Sequence, residues 1–320
     1  MTQDFVPIID ISSRETAQGR ADLAAAIGEA CETSGFYTIV GHGVPGTLIE
    51  HMYAVTNEFF RLPDEERDRC AIRPGFSGFR DSGGTTARSL DRETPPDLCA
   101  AFASHVTGEL SDDERERLGD YPATWKLANS WPDRPAEFKD TWQVYQTVMA
   151  ELAGDLMRLS ALALGVDERY FEDKFDRHVS SLVANYYYPQ TRKPLPGQLR
   201  RGAHTDFGGL TILHQEDNLG GLQVRQGDSW LDIPAVSGSF VVNIGDLMAL
   251  WTGGRWVSTL HRVVNPEAGN TASRVSIPFF YQPNHDAVVE PLSATDEESG
   301  TVVAGEWMAT KTAKLFAAAN

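Results

Sequence analysis

Apolar residues recur at helical spacing in three stretches of the first half of the chain. These stretches predict amphipathic helices over residues 14–33, around 49–60 and over 138–164. Between them, residues 6–11 and 36–40 are short β-branched and aromatic runs, which predict strands. The first part of the chain is therefore expected to be mixed α/β.

Residues 73–104 break this pattern. They are rich in Gly, Pro, Thr, Ser and Arg, and their apolar residues show neither the spacing of a helix nor that of a strand. We therefore expect an irregular segment. Long loops of this kind inside compact proteins are often functional. We therefore look to this segment for contacts with a ligand.

Short strand-like runs separated by turn residues follow from about residue 179. They lie at 182–187, 209–213, 222–225, 230–233, 239–244, 258–264 and 274–281. This arrangement predicts an α+β protein whose core is a double-stranded β-helix, or jelly roll, with flanking helices. We divide the chain into a mixed N-terminal region (1–120), a helical connector (121–178), the jelly-roll core (179–285) and a C-terminal tail with a peripheral helix (286–320), all in one compact unit.

Composition and charge narrow the class of protein. With 320 residues, 41% hydrophobic and 23% charged, the chain is typical of a folded soluble domain. A net charge of -17 argues against a nucleic-acid partner and would suit a cationic substrate, although such acidity generally serves solubility.

The sequence also bears on the location of the protein and on the state of its cysteines. No run of about 20 apolar residues or signal peptide is present, so we expect a cytoplasmic protein without a membrane partner. The three cysteines form no Cys-X-X-Cys pair and are expected to be reduced and structural. Nothing in the pattern predicts an oligomeric state.

The most specific chemical feature is the pair His204 and Asp206. On an extended backbone, residues two apart point to the same face, so this pair can offer a nitrogen and an oxygen to one metal. His261, in a later strand-like run, supplies a third ligand. Two histidines and one carboxylate on one side of a metal are typical of non-haem Fe(II) oxygenases, but the same set can bind zinc for hydrolysis.

Arg274 and Ser276 favour the oxygenase over the zinc enzyme. They share one face of a predicted strand and offer a guanidinium and a hydroxyl to the far carboxylate of a dicarboxylic acid. A zinc hydrolase has no evident use for this pair.

These motifs, in this order, resemble those of the isopenicillin N synthase-like family of 2-oxoglutarate/Fe(II) oxygenases. The resemblance rests on His204-Thr-Asp206, on His261 with the Asn265-Pro266 that follows it, and on Arg274-X-Ser276. It extends over nearly the whole chain, through segments 6–10, 35–45 and 243–246, and is weakest over 76–101.

The resemblance implies roles for these residues. His204, Asp206 and His261 would bind iron, and Arg274 and Ser276 would bind the far carboxylate of 2-oxoglutarate. Two further residues that would assist the cosubstrate are Asn185 and Tyr187. Tyr188 stands where the family usually has proline, which leaves open whether Tyr187 or Tyr186 faces the cosubstrate.

The implied reaction is the oxidation of a small organic substrate by O2, with release of succinate and CO2. Hydroxylation, desaturation and ring closure all remain open, and we expect a small natural product as substrate, as in antibiotic biosynthesis. Two alternatives are kept: an Fe(II) oxidase or cyclase that does not use 2-oxoglutarate, and a small-molecule sensor without catalytic activity. The candidates for substrate contact are Phe76, Phe79, Arg80, Arg88 and Phe280.

Overall fold

Two main β-sheets and a layer of helices make up most of the fold. The computed structural model describes residues 5–83, 95–117, 127–216, 219–267, 270, 272–292 and 300–316. Its α-helices are α1 (Ala17–Thr33), α2 (Gly46–Phe60), α3 (Asp64–Asp68), α4 (Asp112–Arg117), α5 (Phe138–Leu164), α6 (Glu172–Phe175), α7 (Asp246–Trp251) and α8 (Ala304–Phe316).

The strands of the N-terminal region are short. They are β1 (Ile8–Asp10), β2 (Phe36–Val40), β3 (Phe76–Ser77), β4 (Phe79–Arg80), β5 (Ala100–His105) and β6 (Ala128–Asn129). The remaining strands are β7 (Ser181–Tyr187), β8 (Arg201–His204), β9 (Leu210–Gln215), β10 (Leu222–Gln226), β11 (Ser229–Asp232), β12 (Phe240–Ile244), β13 (His261–Val263), β14 (Arg274–Tyr281), β15 (Val288–Val289) and β16 (Val302–Val303).

The sheet topology confirms the predicted jelly-roll core. An eight-stranded major sheet has the order β1-β2-β12-β9-β14-β7-β5-β4, and a four-stranded minor sheet has the order β11-β10-β13-β8. The N-terminal region contributes β1, β2, β4 and β5 to the major sheet. The remaining pairs are β3 with β6 and β15 with β16.

The major sheet has a different core on each face. Its outer face packs on helices, and alternate strand residues such as Phe102, Tyr186, Val275 and Ile277 join this larger core. The inner face contributes to a smaller apolar cluster that also holds residues of the minor sheet, and its members include Phe36, Tyr187, Val224, Val241 and Val263. Successive side chains of a strand point to opposite faces of the sheet. The residues that lie next to these core residues along each strand therefore point into the space between the two sheets.

Local signals account for the ends of α1. The Thr16 side chain accepts a hydrogen bond from the Gly19 N–H at its start. Beyond its end, Gly35 has a φ of 69°, and a Cβ there would lie 1.9 Å from the Val257 carbonyl oxygen. Only glycine fits this turn, which leads directly into β2.

Two predictions about elements need correction. The segment 73–104, which we expected to be irregular, contains β3, β4 and all but the last residue of β5, a six-residue strand paired along its whole length with β7. The C-terminal helix is less peripheral than expected, because Ala304 and Met308 are buried in the larger core. Within the described ranges, no helix combines the length and the apolarity needed to cross a bilayer.

Candidate active site

The three predicted metal ligands come together at one end of the minor sheet. His204 on β8 and His261 on β13 are direct cross-strand partners, and Asp206 lies two residues beyond His204. Their ligand atoms lie within 4.8 Å of one another, which holds for no other His, Cys, Asp or Glu group of three or more among the described residues.

The hydrogen bonds of the two histidines leave the metal-facing nitrogens free. Nδ1 of His204 donates to the Gly202 carbonyl at 2.8 Å, and Nδ1 of His261 donates to the Thr259 carbonyl at 3.1 Å. Nε2 makes neither of these bonds, and the two Nε2 atoms lie 3.8 and 3.7 Å from Oδ1 of Asp206. A ring whose Nδ1–H donates to a carbonyl offers Nε2 as the nitrogen that can bind a metal.

Asp206 is held by its other oxygen. Oδ2 accepts hydrogen bonds from the Thr211 hydroxyl at 2.6 Å and from the Asn243 amide at 2.7 Å. Oδ1 therefore remains for a metal. The sequence alone did not reveal Thr211 and Asn243, because each lies on a separate strand and neither belongs to the two-residue spacing that revealed the ligands.

Burial sets the protonation of these groups. Burial, together with the charges of His261 and Arg201, lowers the pKa of His204 far below its usual range, so the ring is neutral. For Asp206, burial acts to raise the pKa, but the two histidines and the hydrogen bonds from Asn243 and Thr211 outweigh it. The pKa of Asp206 is therefore lowered, and the group is a carboxylate. A neutral imidazole at His204 and an ionised carboxylate at Asp206 are suitable donors for a divalent cation.

Helix α7 supports the loop that carries Asp206. The backbone N–H of Asp246, its first residue, donates to the Asp206 carbonyl at 2.7 Å, and the Leu247 N–H donates to the Phe207 carbonyl at 3.1 Å. The Asp246 carboxylate accepts from Ser258, three residues before His261, and from Lys311 on α8. One short element therefore connects both ligand segments to the C-terminal helix.

The predicted cosubstrate residues share the inner face of the major sheet. Arg274 is paired with Tyr187, and Ser276 is paired with Asn185. Tyr187 belongs to the cluster between the sheets, whereas Tyr186 stacks on Phe60 in the outer core at 4.6 Å between ring centroids. The neighbouring Tyr188 accepts a hydrogen bond from Arg67, so of these three tyrosines only Tyr187 lies on the same face as Arg274 and Ser276.

Arg274 is suited to an anionic ligand. Its side chain is 1% exposed, and its Nε and Nη1 atoms have no hydrogen-bond partner among the residues that the structure describes. Nη2 reaches only Gln215, at 3.4 Å. A buried guanidinium with unused donors is costly unless an anion completes its hydrogen bonds. Burial also raises the pKa of Tyr187 to about 12, so its phenol is neutral and shares a hydrogen bond with Ser276.

The residues predicted to contact the substrate lie in different parts of the structure. Arg80 and Phe280 lie on the inner face, since they are paired with Ala101 and Ser181, the inner-face residues of the adjacent strands. Phe79 was wrongly assigned, because it packs in the outer core. Phe76 lies in the separate β3–β6 pair, under Arg73, and Arg88 lies outside the described residues.

Two family models match parts of this chain. The family model of the 2OG-Fe(II) oxygenase superfamily matches residues 178–283, and that of the non-haem dioxygenase in morphine synthesis N-terminal region matches residues 6–134. Homoarginine-6-hydroxylase 2-ODD-C23 of Glycine max is 33% identical over 91% of this chain and 90% of its own length.

A bacterial enzyme and a solved fungal structure are similar over comparable lengths. Validamycin A dioxygenase of Streptomyces hygroscopicus is 34% identical over 90% of this chain and 80% of its own length. The crystal structure of a full-length Neurospora crassa protein in complex with alpha-KG and thymine superposes with a TM-score of 0.83, at 26% identity, over 96% of both chains. The chain therefore belongs to the 2OG-Fe(II) oxygenase superfamily and is an Fe(II)- and 2-oxoglutarate-dependent enzyme that oxidises a small organic substrate.

Proposed function

We propose that His204, Asp206 and His261 hold the iron, and that Arg274 and Ser276 bind the far carboxylate of 2-oxoglutarate with the help of Tyr187 and Asn185. The observation that carries this proposal is Arg274, a fully buried guanidinium with two unused donor atoms on the inner face. An anion would complete the hydrogen bonds of this guanidinium, and a dicarboxylate offers one carboxylate for it and another for a metal.

When bound, iron and 2-oxoglutarate supply the oxidation of the substrate by O2, with succinate and CO2 released. The residues of the chain position these groups and exclude water. The two Nδ1–H bonds fix the histidine rings, and Thr211 and Asn243 fix the carboxylate plane of Asp206. Phe36 packs edge-on against His261 at 5.3 Å between ring centroids, which covers one side of the ligand set.

The substrate is proposed to be a small natural product. Two similar enzymes are named for homoarginine and validamycin A, and the similar fungal protein binds thymine in its crystal structure. All three are small polar molecules. We also propose a cytoplasmic location, with which three buried, unpaired cysteines agree. The sensor alternative has no support here, since the similar sequences carry the names of enzymes.

The oxidase or cyclase alternative is decided by the stoichiometry of succinate. Iron-loaded protein is given O2, 2-oxoglutarate and each member of a panel of amino acids, amino sugars and pyrimidines, and oxygen uptake and succinate are measured together. We expect one succinate for each O2 consumed. Oxygen uptake with an oxidised product but without succinate would identify an enzyme independent of 2-oxoglutarate.

A further inference from the structure

The inner face of the major sheet has an accessible patch beyond the proposed cosubstrate residues. His105 on β5, Ser181 on β7 and Phe280 on β14 form one row across three adjacent strands. These three residues and Ala103, two positions before His105, are partly exposed, whereas their neighbours along each strand point to the outer face and are buried. We call the four residues the open patch. Since the protein does not fully cover them, a space for a ligand lies over this end of the inner face.

The open patch is next to the proposed metal site. The row that contains Phe280 continues through Thr211 to Asn243, the two residues that hold Oδ2 of Asp206. Neighbouring strands lie about 5 Å apart, so the open patch begins about 5 Å from Thr211 and extends about 10 Å further, to His105. This length matches a small organic molecule that lies beside the metal.

Two buried polar atoms at the open patch have no partner. They are Nδ1 of His105 and Oε1 of Gln282, and neither makes a hydrogen bond within the part of the chain that the structure describes. His105 bonds to Asn129 through its backbone N–H and carbonyl, so its ring is left for another group. Because an unpaired polar atom is costly to bury, both atoms are suited to a ligand that completes their hydrogen bonds.

Gln282 lies on the metal side of the open patch. It directly follows β14, two residues after Phe280, and is 6% exposed. Its Oε1 occupies the space that a side chain would take at Gly208. Gly208 is two residues after Asp206, so the carboxamide of Gln282 lies against the loop that carries this metal ligand. His105 and Gln282 therefore mark the far end and the near end of the accessible space.

The residues at this end of the inner face are uncharged. Desolvation lowers the pKa of His105 to about 4, so its ring is neutral at neutral pH. Gln282 has an uncharged carboxamide. The arginine of the inner face that lies on the same side, Arg80, is paired with Ala101, which is four residues before His105 and therefore about 13 Å away along the strand. An uncharged polar group is thus the better match for the open patch.

From this arrangement we infer that the open patch and Gln282 bind the prime substrate, with Phe280 against its apolar part and with His105 and Gln282 hydrogen-bonded to uncharged polar groups. The inference rests on the proposed function, since it takes the metal beside Asp206 as the centre of the reaction. Oε1 of Gln282 can only accept, so the substrate needs an N–H or O–H group near the metal, whereas a neutral imidazole nitrogen can donate or accept. The substrate class is a small uncharged amide, lactam or alcohol.

The test compares probes that differ in one polar group. Protein loaded with Zn(II) in place of iron and saturated with 2-oxoglutarate is titrated with benzamide, N,N-dimethylbenzamide and benzoate, with the same three derivatives of nicotinic acid, and with benzyl alcohol and its methyl ether. Ligand-observed NMR gives each dissociation constant. We expect at least one N–H or O–H probe to bind at least fivefold more tightly than its methylated derivative, and each acid to bind more weakly than its amide. Mn(II) in place of Zn(II) should broaden the signals of the bound probe.

Variants assign this preference to the two polar residues. Gln282→Met keeps the length of the side chain but removes the acceptor oxygen, and it should reduce the preference to less than twofold. His105→Phe keeps a ring but removes both nitrogens, and it should weaken the binding of the preferred probe by at least threefold. Gln18→Met and His51→Phe, at exposed positions of α1 and α2, are the matched controls and should change neither value.

Several results would overturn the inference. They are a wild type that binds no probe, methylated derivatives or acids that bind as tightly as the amides, a bound probe that Mn(II) does not broaden, and a preference that survives in Gln282→Met. The affinity for 2-oxoglutarate is measured on the same samples and should be equal in all variants, which shows that they are folded. Absence of that affinity in the wild type would overturn the proposed function and this inference with it.

Discussion

Each ligand histidine presents only one of its two ring nitrogens to the metal site. The other nitrogen donates to a carbonyl two residues earlier in both His204 and His261. The same local geometry thus fixes both tautomers without any contribution from a distant residue. Asp206 differs, because its orientation depends on side chains from two other strands.

Removing a hydrogen bond to Asp206 should weaken metal binding even though all three metal ligands remain. Thr211→Val keeps the shape of the side chain but removes the hydroxyl that donates to Oδ2. Second-sphere changes of this kind cost about 10- to 100-fold in metal affinity, and we expect a loss in that range for Fe(II) in an anaerobic titration. Thr147→Val, at an exposed helix position, is the control. Equal affinities in the two variants would refute this role.

Replacing Arg274 should weaken the binding of 2-oxoglutarate and leave the affinity for the metal nearly unchanged. Arg274→Leu removes a buried charged donor, and hydrogen bonds to charged groups contribute about 1.5–3 kcal/mol. We expect the dissociation constant for 2-oxoglutarate to rise by at least about tenfold, while the affinity for the metal stays within twofold. Calorimetric titration of the metal-free protein with Zn(II) measures the metal affinity, and titration of the Zn(II)-loaded protein measures the affinity for 2-oxoglutarate. The exposed Arg255→Leu serves as control, and an unaltered cosubstrate affinity in Arg274→Leu would exclude the assignment.

At the residue scale, the sequence was informative where the chemistry is local. His204 and Asp206 are two residues apart, as are Arg274 and Ser276, so the period of a strand was enough to group each pair. Thr211 and Asn243 could not be assigned, because their partner comes from another segment. The choice of Tyr187 over Tyr186 likewise required the strand register.

At the scale of elements, strands with β-branched residues were predicted well and β5 was not. β2 and β14 have the predicted bounds, and helix α5 does too. β5 reads Ala-Ala-Phe-Ala-Ser-His, which has no β-branched residue, and it is stabilised by pairing with β7 rather than by its own propensity. Tertiary context therefore overrides local preference at this strand.

The contact between α7 and the iron-ligand loop predicts an effect on stability. A Cβ at Gly245 would lie 2.3 Å from the backbone oxygen of Gly208, which cannot move without shifting the loop after Asp206. Overpacking of this kind costs about 1–3 kcal/mol, so Gly245→Ala should lower the free energy of unfolding of the metal-free protein by that amount in urea. In the control Gly154→Ala, with open space in a helix, stability should rise by about 0.5–1 kcal/mol. A Gly245→Ala protein as stable as the wild type would contradict the close contact.

At the scale of the whole molecule, the two proposed binding sites lie on different sheets. The metal ligands belong to the minor sheet and the loop after it, whereas Arg274 and Ser276 belong to the major sheet. A bound 2-oxoglutarate would connect the two sheets only when the metal is present. The composition of the major sheet could not be predicted from the sequence, because β1, β2, β4 and β5 join it through long-range pairing. Our division of the chain at residues 120, 178 and 285 remains a proposal.

This connection predicts coupled stabilisation by the two ligands. With Mn(II) in place of iron, metal at 100 times its dissociation constant should add about 2.7 kcal/mol to the stability. 2-Oxoglutarate should raise the melting temperature clearly further in the presence of metal and little in its absence. In Arg274→Leu the effect of the metal should persist and the further rise should disappear. Equal effects of 2-oxoglutarate with and without metal would show that the two sites are not connected.

The most direct measurement of the central claim is an anaerobic titration of the protein with Fe(II) and 2-oxoglutarate, followed by visible absorption. We expect a weak charge-transfer band that saturates at one iron and one 2-oxoglutarate per chain. The band should be absent in His204→Ala and should require at least about tenfold more 2-oxoglutarate in Arg274→Leu. A band that persists unchanged in His204→Ala, or a wild-type protein that shows none, would contradict it.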